Sequence, residues 1–158
     1  MVSFLKRQKG FTLLELLIVM ALIAILVGIV IAALNPGRQF ALARNSTRYA
    51  HLNAVMNAIS ANSAENNGIF TCAAGALPAA ATAMNDDDAD PLTAEYDIGP
   101  CLVTEYLSTM PYDPSSTNAH WTNETDYVSG YTISQDAEDR ITVAAPDAEL
   151  AEVISITR

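Results

Sequence analysis

The sequence predicts an α+β fold in which a long N-terminal helix packs against a small antiparallel sheet. A long apolar run near the N-terminus, a second helical pattern directly after it, and short β-prone runs near the C-terminus carry this prediction. The chain has 158 residues, enough for one compact domain besides a membrane segment and too few for two sizeable cores. One anchor and one domain are therefore expected.

The first element is the apolar run from Phe11 to Leu34, whose only charged residue is Glu15. As a helix this run would be about 36 Å long, enough to cross a hydrocarbon core of about 30 Å with some tilt. Lys6, Arg7 and Lys9 precede it, which favours a cytoplasmic N-terminus and sends the rest of the chain outward. Cleavage after the run is not expected, because ordinary secretory signals have a shorter apolar region.

A second helical pattern follows the sequence Asn35-Pro36-Gly37, where Pro36 lacks a backbone donor and its ring presses on the carbonyl four residues earlier. A kink or a local melt is expected there. Beyond it, apolar residues recur at helical spacing and predict a helix to about Ala64 with one face buried. They are Leu42, Tyr49, Leu52, Met56 and Ile59. Asn67 and Gly68 can take the left-handed conformation that ends a helix.

The remaining residues alternate between loops and short elements. Residues 71–100 are rich in Ala, Asp, Pro and Gly without a sustained period, which predicts a long loop. In residues 101–111, Leu102, Tyr106 and Leu107 share one helical face and predict a short helix that ends at Pro111. An antiparallel meander laid on the second helix is predicted by three further runs. These runs are residues 127–134, 141–145 and 153–157.

Charge is unevenly placed along the chain. From Glu65 to the end, 17 acidic residues stand against two basic ones, Arg140 and Arg158. An acidic surface of this size repels phosphates, so no direct nucleic-acid binding is expected. Arg44 and Arg48, one turn apart on the second helix, are interpreted as solvated charges that in an assembly could face acids of a neighbouring copy.

The two cysteines, Cys72 and Cys101, lie in the part of the chain predicted to be outside. In that compartment a pair favours a disulfide over a reactive or metal-binding couple, and two reduced buried thiols are the alternative. Closing a loop of about 30 residues would contribute roughly 3.5 kcal/mol in the chain-entropy model.

A weak calcium pattern occurs in the acidic stretch, where Asp86, Asp88, Asp90 and Asp97 mimic the spacing of an EF-hand loop. However, Pro91 occupies the place where a Gly is needed for the sharp turn, and the last ligand is an Asp instead of the longer Glu. A solvated acidic loop is therefore the preferred interpretation, and no metal or other cofactor is expected.

No catalytic group is predicted. His51 and His120 are far apart, and neither has an acid and a nucleophile at a recognisable spacing, so an enzyme is not expected. His51 is expected at the helix surface or at an interface, and Trp121 is expected to anchor a loop against the domain.

Glu15 needs an explanation of its own, because a single acid in a membrane segment costs roughly 2.5–3.5 kcal/mol on insertion scales and usually has a partner. The apolar run contains none. If the chain were cut after Gly10, the new α-amino group of Phe11 would be a cation one helical turn from Glu15. The two charges could then be neutralised in one chain, or between chains whose helices pack with a stagger.

The stretch KGFTLLELLIVMALIAIL resembles the N-terminus of bacterial type IV prepilins and type II secretion pseudopilins over residues 6–36. The shared features are a basic leader, Gly10, Phe11, Thr12, and Glu15 inside an apolar helix. The resemblance implies cleavage after Gly10 by a prepilin peptidase on the cytoplasmic side and methylation of the new Phe11 amine. It also implies that Glu15 contacts the Phe11 amine of a neighbouring subunit.

The same resemblance implies a division of the chain into a leader, a membrane and filament-core helix, and a head domain. These are residues 1–10, 11–36 and 37–158. It further implies that an ATPase-driven machine at the inner membrane assembles the chain into a helical homopolymer. The expected location is the inner membrane, in a single pass, before assembly and an extracellular pilus afterwards.

Over the head the resemblance is architectural. YLSTMPYDP, GYTIS and ITVAAP are similar to the helix, turn and meander of pilin and pseudopilin heads, and the cysteine pair resembles the disulfides of pilins. Major pseudopilins carry a calcium-binding loop with several Asp after the equivalent DP, whereas here only Asp126 lies close to the strand. A type IV pilus subunit is therefore the expected function. The alternatives are a periplasmic pseudopilus subunit and a tethered domain that keeps its leader.

Overall fold

The computed structural model describes residues 10–86 and 95–158. The chain divides into two compact units, with the boundary between Gln39 and Phe40. The elements in chain order are α1 (Leu13–Leu34), α2 (Pro36–Glu65), β1 (Thr82–Asp86), α3 (Gly99–Leu102), β2 (His120–Asn123), β3 (Asp126–Gln135), β4 (Ile141–Ala145) and β5 (Ile154–Thr157). The predicted α+β class is confirmed.

Helix α1 is the predicted apolar run. It begins after Thr12, whose Oγ1 accepts a hydrogen bond of 3.2 Å from the backbone N–H of Glu15. A Thr N-cap with a Glu at the third helical position is a favourable helix start. An 18-residue window of the helix has a mean hydropathy of 3.3, and none of the helix residues is buried within the chain. Its length and composition would allow it to cross a membrane.

The predicted interruption of the helical pattern is confirmed. Asn35 ends α1 in the left-handed conformation with φ of 42°, and Pro36 begins α2 at a position where its missing donor costs nothing. The Asn35 backbone carbonyl and side-chain Oδ1 both accept from the N–H of Arg38, at 3.1 and 3.4 Å. The end of α2 is also as predicted, with Asn67 and Gly68 at φ of 58° and 89°.

The second unit contains an antiparallel sheet of order β1-β3-β4-β5, and β2 pairs with β3 beside this path. Strands β3, β4 and β5 form the predicted meander. Alternation along β3 buries one face completely. That face consists of Tyr127, Ser129, Tyr131 and Ile133. It joins one stripe of α2 in a single core, to which α2 contributes Leu52, Val55, Met56 and Ile59.

Two expectations about the connecting residues are wrong. Residues 71–100 are not all loop, because Thr82–Asp86 forms β1 and pairs with β3, with Met84 fully buried. The strand His120–Asn123 was not predicted either. Both strands are short and lack a clear alternation of apolar and polar residues, so their sequences do not predict them. They form because they pair with β3, which for β1 lies far away in the sequence.

The short helix predicted over residues 101–111 is also wrong in extent. Helix α3 ends at Leu102, Val103 is extended, and Thr104 is left-handed with φ of 73°. Two β-branched residues in succession disfavour another helical turn, and the N–H of Thr104 instead donates to the carbonyl of Leu107 at 2.8 Å.

The disulfide between Cys72 and Cys101 is present, with Cα atoms 5.3 Å apart. It ties the segment after α2 to α3, as the sequence predicts. Reduced thiols are therefore not the state of this pair.

Tyr127 holds α3 against the sheet. Its hydroxyl oxygen accepts from the backbone N–H groups of Ile98 and Gly99 at 3.0 and 2.9 Å, and its O–H donates to Asp97 Oδ1 at 3.0 Å. Burial raises the pKa of Tyr127 above its usual range, so the hydroxyl stays protonated. A Cβ at Gly99 would lie 2.8 Å from the Tyr127 ring, so this close approach requires glycine.

We predict that Gly99→Ala destabilises the head by about 1–3 kcal/mol, because the new methyl group forces the buried ring to move. The measurement is urea unfolding of the full chain in detergent, followed by the fluorescence of its single tryptophan, Trp121. Gly37→Ala is the matched control, since a Cβ there would meet no described atom closer than Asn35 Oδ1 at 3.7 Å. Equal unfolding midpoints for the two variants would contradict the prediction.

Candidate functional site

The predicted processing residues lie directly before α1. Gly10 and Phe11 are exposed, and Phe11 retains 76% of its accessible surface. Among the described residues, nothing lies within 4 Å of the position that a Cβ at Gly10 would take. The peptide bond between Gly10 and Phe11 is thus open to an enzyme as far as the described residues are concerned.

Glu15 lies in the first turn of α1, four residues after Phe11. Its backbone N–H is bound by Thr12 Oγ1, and its side chain is exposed. Within residues 10–86 and 95–158, no cation lies within ion-pair distance of its carboxylate. The structure thus brings Gly10, Phe11 and Glu15 together at one helix start and leaves the acid available to a group outside the described chain.

A polar cluster in the second unit joins α2 to two distant loops. We call it the Arg48 cluster and define it as Arg44, Asn45, Arg48, Asp113 and Glu149. Arg48 is fully buried, and its Nε and Nη2 donate to the two oxygens of Asp113 at 2.6 and 2.9 Å. This bidentate geometry is the strongest form of an arginine–carboxylate pair.

The other donors of Arg48 are also satisfied. Nη1 donates to Asn45 Oδ1 at 2.7 Å and to Glu149 Oε2 at 3.2 Å, and Nη2 donates to Ser115 Oγ at 2.6 Å. Asp113 Oδ1 additionally accepts from the backbone N–H groups of Ser115 and Ser116 at 2.8 and 3.0 Å. The buried charge is therefore fully paired, which is the condition for tolerating it.

The interpretation of Arg44 and Arg48 as solvated charges is wrong. Arg44 forms two hydrogen bonds of 2.6 Å with Glu149, and Arg48 has no exposed surface. Their partners lie 65 to 105 residues away in sequence. Both guanidinium groups bind carboxylates of their own chain, which they hold against α2.

The sequence did contain one indication of this cluster. Counting back from Ile59 and Leu52 at helical spacing, the buried stripe of α2 passes through Arg48, Asn45 and Ala41, which are all buried. Extending the apolar stripe toward the N-terminus would have placed Arg48 in the core. Which acids meet it there is decided by the tertiary fold, so α2 alone could not reveal them.

The carboxyl groups of the cluster have lowered pKa values. Burial by itself would raise the pKa of Asp113, but the hydrogen bonds from Arg48, Ser115 and Ser116 outweigh it, so the pKa lies below its ordinary value. The hydrogen bond from Arg44 is the main reason that the pKa of Glu149 falls from 4.5 to about 2. Both groups are therefore ionised at neutral pH.

The two histidines and the tryptophan contact neighbouring side chains of the second unit. His51 is half-buried on α2, with Nδ1 2.8 Å from the Tyr131 hydroxyl, and burial lowers the pKa of His51. His120 Nε2 lies 3.0 Å from Asp126 Oδ1. The Trp121 ring lies 5.6 Å from that of Tyr127, which confirms that it anchors its segment to the core.

The candidate calcium ligands are only partly within the described residues. Asp86 ends β1 and Asp97 precedes α3, whereas Asp88 and Asp90 lie outside the described ranges. Burial raises the pKa of Asp97, and the nearby charge of Asp86 adds to this rise. In the part of the chain that the structure describes, no group of three or more His, Cys, Asp or Glu could hold a metal ion. The solvated acidic loop that the sequence favours over a calcium site stays a prediction.

Residues 5–31 match the family model of the prokaryotic N-terminal methylation motif. This motif marks the class III signal peptide of type IV pilins and pseudopilins, so the chain carries the signal of that family of structural proteins. The motif implies processing by a prepilin peptidase and assembly together with membrane machinery. No curated protein and no solved structure matches the chain significantly.

We predict that acid weakens the head through Glu149 and Asp113. Because both folded-state pKa values are lowered, each ionised carboxylate adds to the free energy of unfolding near neutral pH. This contribution is lost on acidification, and for Glu149 the loss falls between pH values of about 4.5 and about 2. Arg44→Met removes the hydrogen bond that is the main cause of the lowered pKa of Glu149. Its unfolding midpoint, measured by Trp121 fluorescence, should therefore fall less than that of the parent chain between pH values of about 5 and 3.

Arg140→Met is the matched control for this comparison. It removes an exposed ion pair of 2.8 Å with Asp136 but leaves the Arg48 cluster intact. This variant should keep most of the parent's pH dependence, because the backbone N–H of residue 140 still binds Asp136. If Arg44→Met and the parent chain lose stability equally on acidification, Glu149 is not the group that titrates.

Proposed function

We propose that the chain is a structural subunit of a type IV pilus, cleaved after Gly10 and assembled into a helical homopolymer through α1. One observation carries this proposal. The 22-residue helix α1 exposes all of its apolar side chains, and its one charged group is Glu15, close to the residue that cleavage would make the N-terminus.

An apolar surface of this length needs a cover outside its own chain. A lipid bilayer can supply the cover before assembly, since a helix satisfies all of its backbone groups internally. Copies of α1 can supply it in a filament, where van der Waals packing between close helices drives association. Gly28 favours such packing, because a residue without a side chain lets two helix backbones approach closely. One surface thus serves the membrane-bound and the assembled state.

Glu15 supports assembly between copies, because Thr12 caps the helix and the carboxylate of Glu15 is not needed for that purpose. Thr12 Oγ1 caps the helix by binding the N–H of Glu15, and among the described residues the Glu15 carboxylate makes no hydrogen bond. An acid without a partner in an apolar surface is costly, and the α-amino group that cleavage creates at Phe11 would be the nearest cation in the mature chain. The Phe11 amine of a neighbouring copy can reach it when two helices are staggered.

The exposed face of α2 in the second unit supports the same proposal. Between residues 42 and 64 its exposed positions are uncharged, and the partly exposed Arg44 is neutralised by Glu149, although the chain has 18 acidic residues. These positions are Leu42, Ala43, Ser46, Thr47, Tyr49, Ala50, Asn53, Asn57, Ser60 and Ala64. Helix faces that stay in water usually carry charges, so this face suits contact with another copy.

The decisive experiment is to shear cells and analyse the N-terminal peptide of the sheared and the membrane fractions by mass spectrometry. We expect sheared filaments whose chain begins at methylated Phe11. The same peptide confined to membranes would instead indicate a periplasmic pseudopilus, and an uncut Met1 N-terminus would contradict both filament functions.

The lysine content provides an independent readout of processing. The only lysines of the sequence, Lys6 and Lys9, precede the cleavage site. Cleavage and methylation therefore leave the mature chain without a primary amine. A reagent specific for primary amines should label the uncut chain and should not label the processed one.

We predict that Glu15→Ala leaves cleavage unchanged and reduces filament yield at least about tenfold, because the acid that partners the Phe11 amine is lost. Gly10→Val is the control that should fail earlier, since a branched residue at the cut blocks the peptidase and leaves the leader attached. Electron microscopy of sheared material measures the yield, and the mass of the N-terminal peptide measures processing. Normal filaments from Glu15→Ala would show that Glu15 is not required for assembly.

A further inference from the structure

Strand β5 forms an open edge of the sheet. It is the last strand of the order β1-β3-β4-β5 and pairs with β4 alone. The opposite edge differs, because the carbonyl of Ala83 in β1 accepts from the backbone N–H of Tyr96 at 2.9 Å. In the part of the chain that the structure describes, the backbone groups on the outer side of β5 have no such cover.

The ladder shows which backbone groups face this edge. Ile141 and Arg158 exchange both of their backbone hydrogen bonds, at 2.7 and 3.0 Å. In an antiparallel pair, residues that bond across the ladder alternate with residues whose N–H and C=O point away. The N–H and C=O groups of Ser155 and Thr157 therefore point outward, and among the described residues no hydrogen bond satisfies them.

Apart from its length of only four residues, the edge lacks the features that usually prevent edge pairing. Natural sheets protect their edges with charges, prolines, bulges or a covering segment. Strand β5 has the sequence ISIT, and its pairing with β4 is regular. Val153, directly before it, keeps 85% of its surface exposed. An uncharged, regular and uncovered edge in so acidic a chain indicates a partner.

The segment that leads into β5 is held in an unusual conformation. Leu150 and Ala151 are both left-handed, with φ of 61° and 55°, which is unfavourable for residues with a Cβ. Asn45 fixes this segment, since its side chain binds the backbone carbonyl and N–H of Glu149 at 2.8 and 3.0 Å. The position of the edge is thus fixed relative to α2, as a docking surface requires.

Two opposite charges flank the edge, and neither has an ionic partner among the described residues. Glu152 accepts a hydrogen bond of 2.6 Å from the neutral side chain of Asn45. Arg158 Nη1 donates one of 2.8 Å to the neutral side chain of Asn57. Both side chains therefore contact α2 and lie on the same face of the sheet, at the two ends of β5.

We propose that two copies of this chain pair through the open edges of their β5 strands, antiparallel and with Ser155 on the two-fold axis. In this register Thr157 faces the second copy's Val153, and Arg158 faces the second copy's Glu152. The outward backbone groups of Ser155 and Thr157 then find partners, and the symmetry forms the ion pair twice.

The alternatives in register are worse. A shift by one residue would place the outward backbone groups of Ser155 opposite a residue whose N–H and C=O already bond to β4. A shift by two would place Arg158 opposite the second copy's Leu150 or Ile154, so that both ion pairs are lost. Backbone geometry and charge therefore select the same register.

This contact is distinct from the packing of α1. Neighbouring subunits of a helical homopolymer are related by a heterologous contact, whereas the β5 pair is isologous. It therefore joins copies that belong to two filaments, or copies not yet assembled. The inference rests on the second unit alone and holds whether the filament is a pilus or a pseudopilus.

Cross-linking tests the register directly. Ser155→Cys in the full chain, at about one chain per detergent micelle, should give a disulfide-linked dimer on mild oxidation, because the two-fold axis brings the two thiols together. Ser108→Cys is the matched control, another exposed serine that lies away from the edge. Failure of Ser155→Cys to cross-link more than Ser108→Cys would overturn the proposal.

Charge exchange tests the ion pairs. Glu152→Arg or Arg158→Glu alone should weaken the dimer at least about tenfold in sedimentation experiments, since each creates two like-charge pairs. The double variant should restore the affinity of the parent chain. A double variant no tighter than the single ones would exclude the proposed register.

A proline variant separates edge pairing from folding. Ser155→Pro removes a donor that points outward and leaves the hydrogen bonds to β4 intact, so Trp121 fluorescence should be that of the parent while the dimer is lost. Dimerisation as tight as in the parent chain would contradict the proposal. Filaments are counted in the same variants, and Ser155→Pro should form them normally although it loses the dimer, because the β5 contact is distinct from the packing of α1.

Discussion

The buried guanidinium of Arg48 is the constraint on which the head depends. A charge with no exposed surface is tolerated only when every donor is satisfied, and Arg48 meets this condition with Asp113, Ser115, Asn45 and Glu149. Removing one partner from such a group typically costs about 3–5 kcal/mol. Satisfying Arg48 therefore fixes two loops that hydrophobic packing alone would leave poorly determined.

Charge divides the molecule into surfaces with different roles. The acids are concentrated in the loops and sheet of the second unit, the exposed positions of α2 between residues 42 and 64 are neutral, and α1 carries Glu15 alone. Identical acidic surfaces repel one another, so copies should meet through the neutral helices and turn the acids outward. The outward surface would then repel phosphates.

The sequence predicts those parts of the fold that local patterns determine. The apolar run, the stop at Asn35, the end of α2 at Gly68 and the meander all follow from periodicity or turn chemistry. Strand β1 and the Arg48 cluster do not, because both depend on partners far away in the chain. Likewise Gly10, Phe11 and Glu15 form a local motif that the sequence shows directly, whereas the open edge of β5 becomes visible only once the strand order is known.

Asn45 connects the interior of the head to its edge. Its Oδ1 accepts from buried Arg48 and from the N–H of Glu149, and its Nδ2 donates to the carbonyl of Glu149 and to Glu152. The residues that neutralise Arg48 thus also set the path of the chain into β5. Protonation of Glu149 would weaken its bonds to Arg44 and Arg48, directly before the left-handed residues Leu150 and Ala151. Stability of the core and geometry of the edge are therefore coupled through one side chain.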